Sequence, residues 1–393
     1  MYKVLAIFKS PTPYFSNLLK MFSDQPDIDL RVVFCAKTTD GFSYLDANTN
    51  TMKEWGLNVL EGYESSFLNN KIVPLGFPDY KIIDRNIVKF ISRQKYDIIL
   101  MANGYWSLTT WYAIEAASKN NIPIITRATV ETTRERNRAL LLLKKFVVGA
   151  YCRKMRAGVY ECKAQMEYLI QYGMKKSDLF YAPCAVDNDF FQSIATKYSK
   201  DTVRKELGIR KESIVISTTG QLIPRKRPWD LIRAYELLTE KGYCLDLFIV
   251  GDGIQKKEIE NYIEKKEYSN IHMTGKVSQN EVGKYLAASD IYVIASDYDA
   301  SPKALNEAMN FGLPVIATTG VSTVPELIIE GVNGYVYQAG DTEALAYNIS
   351  RIIDEKRSIL MGKESLRIVS ENGFDRVIQG WMDAVHHCTD KNY

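Results

Sequence analysis

Residues 289–318 read SDIYVIASDYDASPKALNEAMNFGLPVIAT. An apolar run, IYVIA (291–295), ends in an acidic loop. A helical stretch follows from Ser301-Pro302, and a second apolar run, PVIAT (314–318), closes the segment. Continuous Val/Ile runs without strict alternation predict strands buried on both faces. A helix joining two such strands is a parallel crossover. The same pattern recurs outward from this segment, with candidate strands VLAIF (4–8), LRVVFC (30–35), DIILM (97–101), IPIIT (122–126), IVIST (214–218) and LDLFIV (245–250). Between them, Phe15, Leu18, Leu19 and Phe22 recur at helical spacing, as do Leu231, Ile232, Tyr235 and Leu238. These stripes are the core faces of crossover helices, so the chain reads as an α/β protein with parallel sheets.

The pattern runs twice. A first set ends near PCAVDNDFF (183–191), a polar stretch follows over 192–213, and a fresh buried strand begins at Ile214. The expected domains are therefore 1–190 and 191–376. The last segment, 377–393, carries VIQGWMDAVHHC and is expected to return as a helix to the first domain.

A length of 393 residues agrees with two or three domains, at roughly 150 residues each. Apolar residues at 46% and charged residues at 25% are the balance of a soluble globular protein. A net charge of +3 gives no case for a nucleic-acid partner. Cys35, Cys152, Cys162, Cys184, Cys244 and Cys388 show no metal-ligand spacing and read as reduced cytoplasmic thiols. The N-terminal run MYKVLAIF is ended by Lys9 and two prolines, too short for a signal peptide or a span. No apolar stretch reaches 18 residues, so the protein is expected to be cytoplasmic, at most attached to the inner membrane face. ALLLLKKFVVGAYCRKMR (139–156) mixes apolar residues with Lys144, Lys145, Arg153, Lys154 and Arg156. It suits either an amphipathic helix on an anionic membrane or a helix packed on the sheet with a basic outer side.

Chemistry concentrates at predicted strand ends. Ser301 suits an N-cap and Pro302 the first helical position, and the open N–H groups of that turn attract anions. Asp299 lies just before the turn and Glu307 eight positions later, two carboxylates suited to sugar hydroxyls. GQLIPRKRP (220–228) follows a strand; Arg225 and Lys226 neutralise phosphate and Gly220 admits backbone to a ligand. VGDG (250–253) makes a tight turn after another strand. Asp297-Tyr298-Asp299 has the text of a D-x-D metal motif, but no second ligand cluster supports a metal, and none is expected.

In combination these segments resemble the retaining family 4 glycosyltransferases of the GT-B fold. The resemblance is dense over GQLIPRKRPWDLIRAY, FIVGDG, MTGKVSQNEVGKYLAASDIYVIAS, the D-x7-E pair with EAMNFGLPVIAT, and VPELIIEGVNGYVYQAGDTEAL. The first half is similar in outline, through SPTPYFSNLLKMFSDQPDIDLRVVFC and WGLNVLEGYESSFL, to a polysaccharide-assembly subgroup. It implies two Rossmann-like domains facing across a cleft, the C-terminal one holding a nucleotide diphosphate sugar. Glu307 would then hold the ribose hydroxyls and Asp299 the transferred sugar. Ser301, Pro302, Lys303 and Ala304 would meet the diphosphate, together with Arg225 and Lys226. Gly251, Gly253, Thr274 and Gly275 would wall the base. Catalysis would rest on Asp299, Lys226 and Arg225, with no metal and no cofactor. Two departures stand out: Gln221 replaces the family's basic residue after Gly220, and Asp299 replaces a glutamate.

On the acceptor side, Thr12 and Tyr14 follow the first predicted strand, Asn103 and Tyr105 follow DIILM, and Arg127 and Glu131 follow IPIIT. Loops after strand C-termini are where α/β ligand clefts form. The three histidines, His272, His386 and His387, fall outside the first half and read as ordinary surface or structural residues. The resemblance thus implies metal-independent transfer of a hexosyl or N-acetylhexosaminyl unit to a glycan or lipid-linked acceptor, with retained configuration. The rival readings are a GT-B subunit that binds nucleotide sugar without turnover, and a GT-B sugar-nucleotide epimerase. A dehydrogenase is disfavoured, because no G-x-G-x-x-G follows the first strand.

Overall fold

The computed structural model describes residues 1–45, 52–54, 58–69, 71–75, 81–127 and 138–389. Two compact units emerge, one comprising Met1–Pro183 with Phe374–Tyr393 and the other Cys184–Gly373. Each is built on a parallel sheet.

In the first unit the strands are β1 (Tyr2–Phe8), β2 (Ile28–Phe34), β3 (Ser43–Leu45), β4 (Met52–Glu54), β5 (Glu64–Phe67), β6 (Ile98–Met101), β7 (Ile124–Arg127), β8 (Ala157–Tyr160) and β9 (Leu179–Tyr181). Seven of them form one sheet in the order β5-β2-β1-β6-β7-β8-β9, and β3 and β4 pair as a separate antiparallel hairpin. The second unit holds β10 (Ile214–Thr219), β11 (Leu245–Val250), β12 (Ile271–Gly275), β13 (Ile291–Ile294), β14 (Val315–Thr318) and β15 (Gly334–Tyr337). Their order is β12-β11-β10-β13-β14-β15, the dinucleotide-fold order 3-2-1-4-5-6. Each sheet reverses its strand order once, between β1 and β6 and between β10 and β13. At such a switch point the crossovers diverge to opposite faces and leave a crevice at the strand C-termini.

The apolar runs read from the sequence become the central strands. β11, β13 and β14 are buried along their whole length, as helices on both faces require. Leu18, Leu19 and Phe22 are buried beneath the helix Pro13–Ser23, and Leu231, Ile232, Tyr235 and Leu238 beneath Pro228–Glu240.

The units divide earlier than the expected boundary at 190/191. The helix Asn188–Lys197 belongs to the second unit, because Asn188 Nδ2 donates to the Val369 carbonyl at 2.9 Å and Gln192 Nε2 to Asn310 Oδ1 at 3.0 Å. The returning helix, Phe374–Thr389, starts three residues before the expected 377 and packs in the first unit. Trp381 is fully buried and meets Phe22 edge-on, with ring centroids 5.2 Å apart. The three histidines make ring and ionic contacts. His386 packs edge-on against Tyr2, His387 lies 3.2 Å from Asp178, and His272 Nε2 lies 2.7 Å from Asp246.

Truncating Trp381 to Ala empties a ring-sized space in the first unit and is expected to destabilise it by about 3–5 kcal/mol, read as a lower denaturant midpoint.

Candidate functional site

The crevice at the switch point of the second sheet is a small open cleft lined by, among others, Thr219, Gly220, Gln221, Lys226, Ser296 and Pro302. Its floor is the carboxyl end of β10 and β13. Gly220, Gln221, Lys226, Pro302 and Ala304 of the predicted donor residues meet here.

Backbone proximity shapes one side. Gly220 N–H donates to the Val250 carbonyl and Leu222 N–H to the Asp252 carbonyl, both at 2.9 Å, so the GQL loop lies on the VGDG turn. A Cβ at Gly251 would drive into the Gly220 carbonyl, and one at Gly253 into Leu222. Gly251 also adopts φ +152 and bridges to Gly275. These glycines therefore serve contact between loops. Thr274 turns its hydroxyl onto the Gly275 carbonyl, at 2.9 Å.

Opposite lies a cationic turn. Pro224–Lys226 forms a single 3₁₀ turn, and its side chains engage the loop after β13 one after another. The Arg225 guanidinium donates to the Tyr298 carbonyl, and Asp297 N–H returns a bond to the Arg225 carbonyl at 2.9 Å. The Lys226 ammonium pairs with Asp299. Arg227 reaches Asp230 through two nitrogens, at 2.7 and 3.0 Å, and Asp297 at 3.1 Å. Both carboxylates of the D-x-D text thus hold cationic side chains. Among the described residues no group of three or more His, Cys, Asp or Glu side chains is arranged to hold a metal ion.

The helix start differs from expectation. The helix runs Lys303–Met309, with Pro302 as its cap residue and no side-chain cap, so Ser301 and Pro302 each sit one position further out than predicted. Ser301 instead donates its hydroxyl to the Cys184 thiol at 2.8 Å, and Lys303 Nζ lies 3.2 Å from the same sulfur. Seven residues make a weak dipole, so the cations carry more of the anion-attracting charge than the sequence implied. Further along, Asn306 Nδ2 donates to the Cys184 carbonyl at 2.9 Å, and Asn310 Nδ2 to Asn188 Oδ1 at 2.8 Å. The helix bearing Glu307 is thereby tied to the segment that opens the second unit.

Glu307 is buried on this helix. Its charge and that of Asp299 both reach the Tyr292 hydroxyl, whose pKa is raised first by burial and then by these two carboxylates. Tyr292 is bound at that hydroxyl by Thr219, 2.8 Å away. The two acids of the D-x7-E pair thus share one neighbourhood. Sequence reading assigned no role to Tyr292, Cys184, Arg227 or Asp230. Apart from the Arg227–Asp230 pair, the contacts that place them are with partners distant in the chain.

The acceptor-side candidates lie around the switch point of the first sheet. Thr12 caps the helix Pro13–Ser23 through its carbonyl, and Tyr14 is in that helix's first turn. Asn103 is buried and gives its amide to Cys35 at 2.9 Å; Tyr105 is buried with its hydroxyl 3.3 Å from that of Tyr168. Arg127 pairs with the buried Glu161 and stacks over Phe15 at 4.7 Å. Tyr105 and Arg127 line a narrow pocket with Tyr151 and Tyr168. Glu131 lies outside the described residues.

Residues 199–376 match the family described as glycosyl transferases group 1. Among curated relatives, the amylovoran biosynthesis glycosyltransferase AmsK of Erwinia amylovora is 28% identical over 170 residues, which is 42% of each chain. The UDP-Gal:alpha-D-GlcNAc-diphosphoundecaprenol alpha-1,3-galactosyltransferase of Escherichia coli is 23% identical over 308 residues, 75% of this chain and 74% of that one. The chain spans less than half the length of the first of these relatives. Among solved structures, Anabaena HepE in complex with UDP superposes with a TM-score of 0.74 at 18% identity, covering 98% of this chain and 99% of that one. That likeness shows the GT-B fold. The second unit of the chain is thus similar to the group 1 glycosyl transferases over residues 199–376.

Proposed function

We propose that the chain is a retaining glycosyltransferase that moves a sugar from a nucleotide diphosphate sugar to an acceptor hydroxyl, in the assembly of a surface polysaccharide or glycolipid. The observation that carries this reading is the Lys226–Asp299 pair, whose lysine lines the cleft, with Arg225 next to it in the chain and Glu307 near the same Tyr292 hydroxyl as Asp299. A diphosphate offers Lys226 more negative charge than one carboxylate does. Its arrival would exchange the lysine's partner and leave Asp299 to accept hydrogen bonds from the transferred sugar. Arg225 has five N–H donors and the Tyr298 carbonyl takes one, so its fork also suits phosphate. Glu307 would accept from the ribose hydroxyls.

In the step itself, the bond from the anomeric carbon to the phosphate oxygen breaks and the acceptor oxygen bonds to that carbon on the same face. The acceptor's proton passes to the departing phosphate oxygen. Lys226 and Arg225 meet the charge that builds on the leaving diphosphate, where preorganised cations contribute most. The E. coli relative is named for a UDP-sugar donor and HepE was solved with UDP, which makes UDP-hexoses the first donors to test.

The acceptor is proposed to be a glycan or lipid-linked sugar reached from the cytoplasmic membrane face. No helix among the described residues is long and apolar enough to cross a membrane. The helix Arg138–Cys152 instead turns apolar residues outward: Leu142 is 70% exposed, Leu143 59% and Phe146 71%. Lys144 points the other way, buried over the Tyr168 ring, while Lys145, Arg153 and Lys154 stay exposed. An exposed apolar face edged by cations fits an anionic lipid surface.

Lys226→Ala and Glu307→Ala are each expected to lower turnover of a UDP-hexose by at least about a hundredfold, with melting temperature retained. Full activity in either variant removes the site assignment. Activity is expected to survive chelators, because Asp297 and Asp299 already hold Arg227 and Lys226; loss restored by added Mg²⁺ would overturn the metal-free reading. Finally, a Leu142→Ser/Phe146→Ser variant is expected to stop floating with vesicles containing anionic phosphatidylglycerol. Equal flotation of variant and parent would remove the proposed membrane face.

A further inference from the structure

We infer that Arg227 is a positioning residue for donor binding, a clamp that fixes the Arg225–Lys226 turn through its grip on Asp230 and Asp297. The inference rests on the donor-site reading above and adds to it a residue that touches no substrate.

The backbone gives the first indication. Arg227 adopts φ 48 and ψ 49, a left-handed conformation that side chains other than glycine, asparagine and aspartate rarely take. Pro228 follows directly and restricts the same residue further. Glycine would hold this conformation without strain, so an arginine here needs a compensating set of contacts.

Those contacts are specific. The guanidinium forks onto both oxygens of Asp230, whose side chain is buried, and reaches Asp297 with its third nitrogen. Asp230 also accepts from Gly340 N–H at 3.1 Å, in the loop after β15. One side chain therefore joins the ends of three strands: the loop after β10 that carries it, the loop after β13, and the loop after β15. Its neighbours in sequence are Lys226, which pairs with Asp299, and Arg225, which bonds Tyr298. With Arg227 locked, the turn lies in register along 297–299. Without it, the two phosphate-facing cations lose the fixed frame from which they reach the cleft. Lysine cannot reproduce the fork, because its ammonium is a single point of contact.

The clamp makes a prediction opposite in sign to simple charge arithmetic. Removing Asp297 deletes a negative charge close to an anion site, and Coulomb's law alone then gives tighter binding of a diphosphate. If Asp297 serves to hold Arg227, its loss gives weaker binding instead. The test uses the full-length protein and whichever of UDP, GDP and ADP raises the parent melting temperature most, with affinity read by calorimetry. Arg227→Gly, Arg227→Lys and Asp297→Ala are each expected to weaken binding about tenfold. The double variant Arg227→Gly/Asp297→Ala should be no weaker than the worse single one, since Arg227→Gly already removes the contact that Asp297→Ala breaks. The melting temperature of Asp297→Ala should stay close to the parent's, because Asp297 is about half exposed. The Arg227 variants take the fork from the buried Asp230 and should melt lower, so Asp297→Ala decides. Affinity within twofold of the parent, or tighter, in Asp297→Ala overturns the clamp while the donor site stands. A parent protein that binds none of the three nucleotides overturns the donor site and the clamp together.

Discussion

Three cations in a row, Arg225, Lys226 and Arg227, are held against a loop that presents Asp297, the Tyr298 carbonyl and Asp299. Everything at the second crevice depends on this pairing across the switch point. The cations extend from the strand on one side of the reversal and the acids from the strand on the other. Bringing half-buried charges together costs desolvation, and the attraction offsets it only with good geometry and further hydrogen bonds. Here those bonds exist: Asp297 N–H to Arg225, and Gly340 N–H to Asp230. The consequence is a cluster whose acids and bases neutralise one another in place, and which under the proposed function would exchange partners with an anionic sugar donor.

Much of this frame was legible in the chain. Long Val/Ile/Leu runs such as LDLFIV announce buried parallel strands, because few other environments accept six apolar residues in succession. The strands that escaped reading were SYL, MKE, ESSF, AGVY, LFY, IHMTG and GYVY, which are short or interrupted by Ser, Gly and His. β5, β9, β12 and β15 lie at sheet edges, where burial is one-sided and the sequence signal fades. The R-K-R and D-x-D texts were visible as well. Their mutual engagement was not, since about seventy residues separate them and nothing local in either dictates the other's position.

The helix after Asp299 shows the opposite case, where a local rule was correct in kind and misplaced in detail. Ser-Pro does mark its beginning, but the serine hydroxyl is drawn off by a thiol from the other end of the unit. Cys184 thereby does what a cap would have done for the loop, fixing Ser301 and Lys303 from outside, while its carbonyl fixes Asn306. A buried cysteine reads from sequence as a small apolar residue, and no spacing rule flags it as an acceptor for two polar side chains. The position of Glu307 follows from this polar ladder more than from dipole or propensity.

The two crevices then differ in a physically instructive way. Both sheets reverse strand order beside their first strand, so topology offers each unit a ligand crevice. At the second crevice glycines keep the floor low and charged side chains stand over it. At the first, Asn103, Tyr105, Tyr151 and Arg127 are engaged with Cys35, Tyr168, Thr126 and Glu161. Such a surface is set in advance by its own hydrogen bonds and rings, and as the proposed acceptor side it would select a partner by shape and stacking instead of by net charge. A nucleotide diphosphate carries its recognition in charge, whereas a sugar acceptor carries it in hydroxyls and flat apolar faces. The division of charge between the two crevices is therefore the division of labour that the proposed transfer needs.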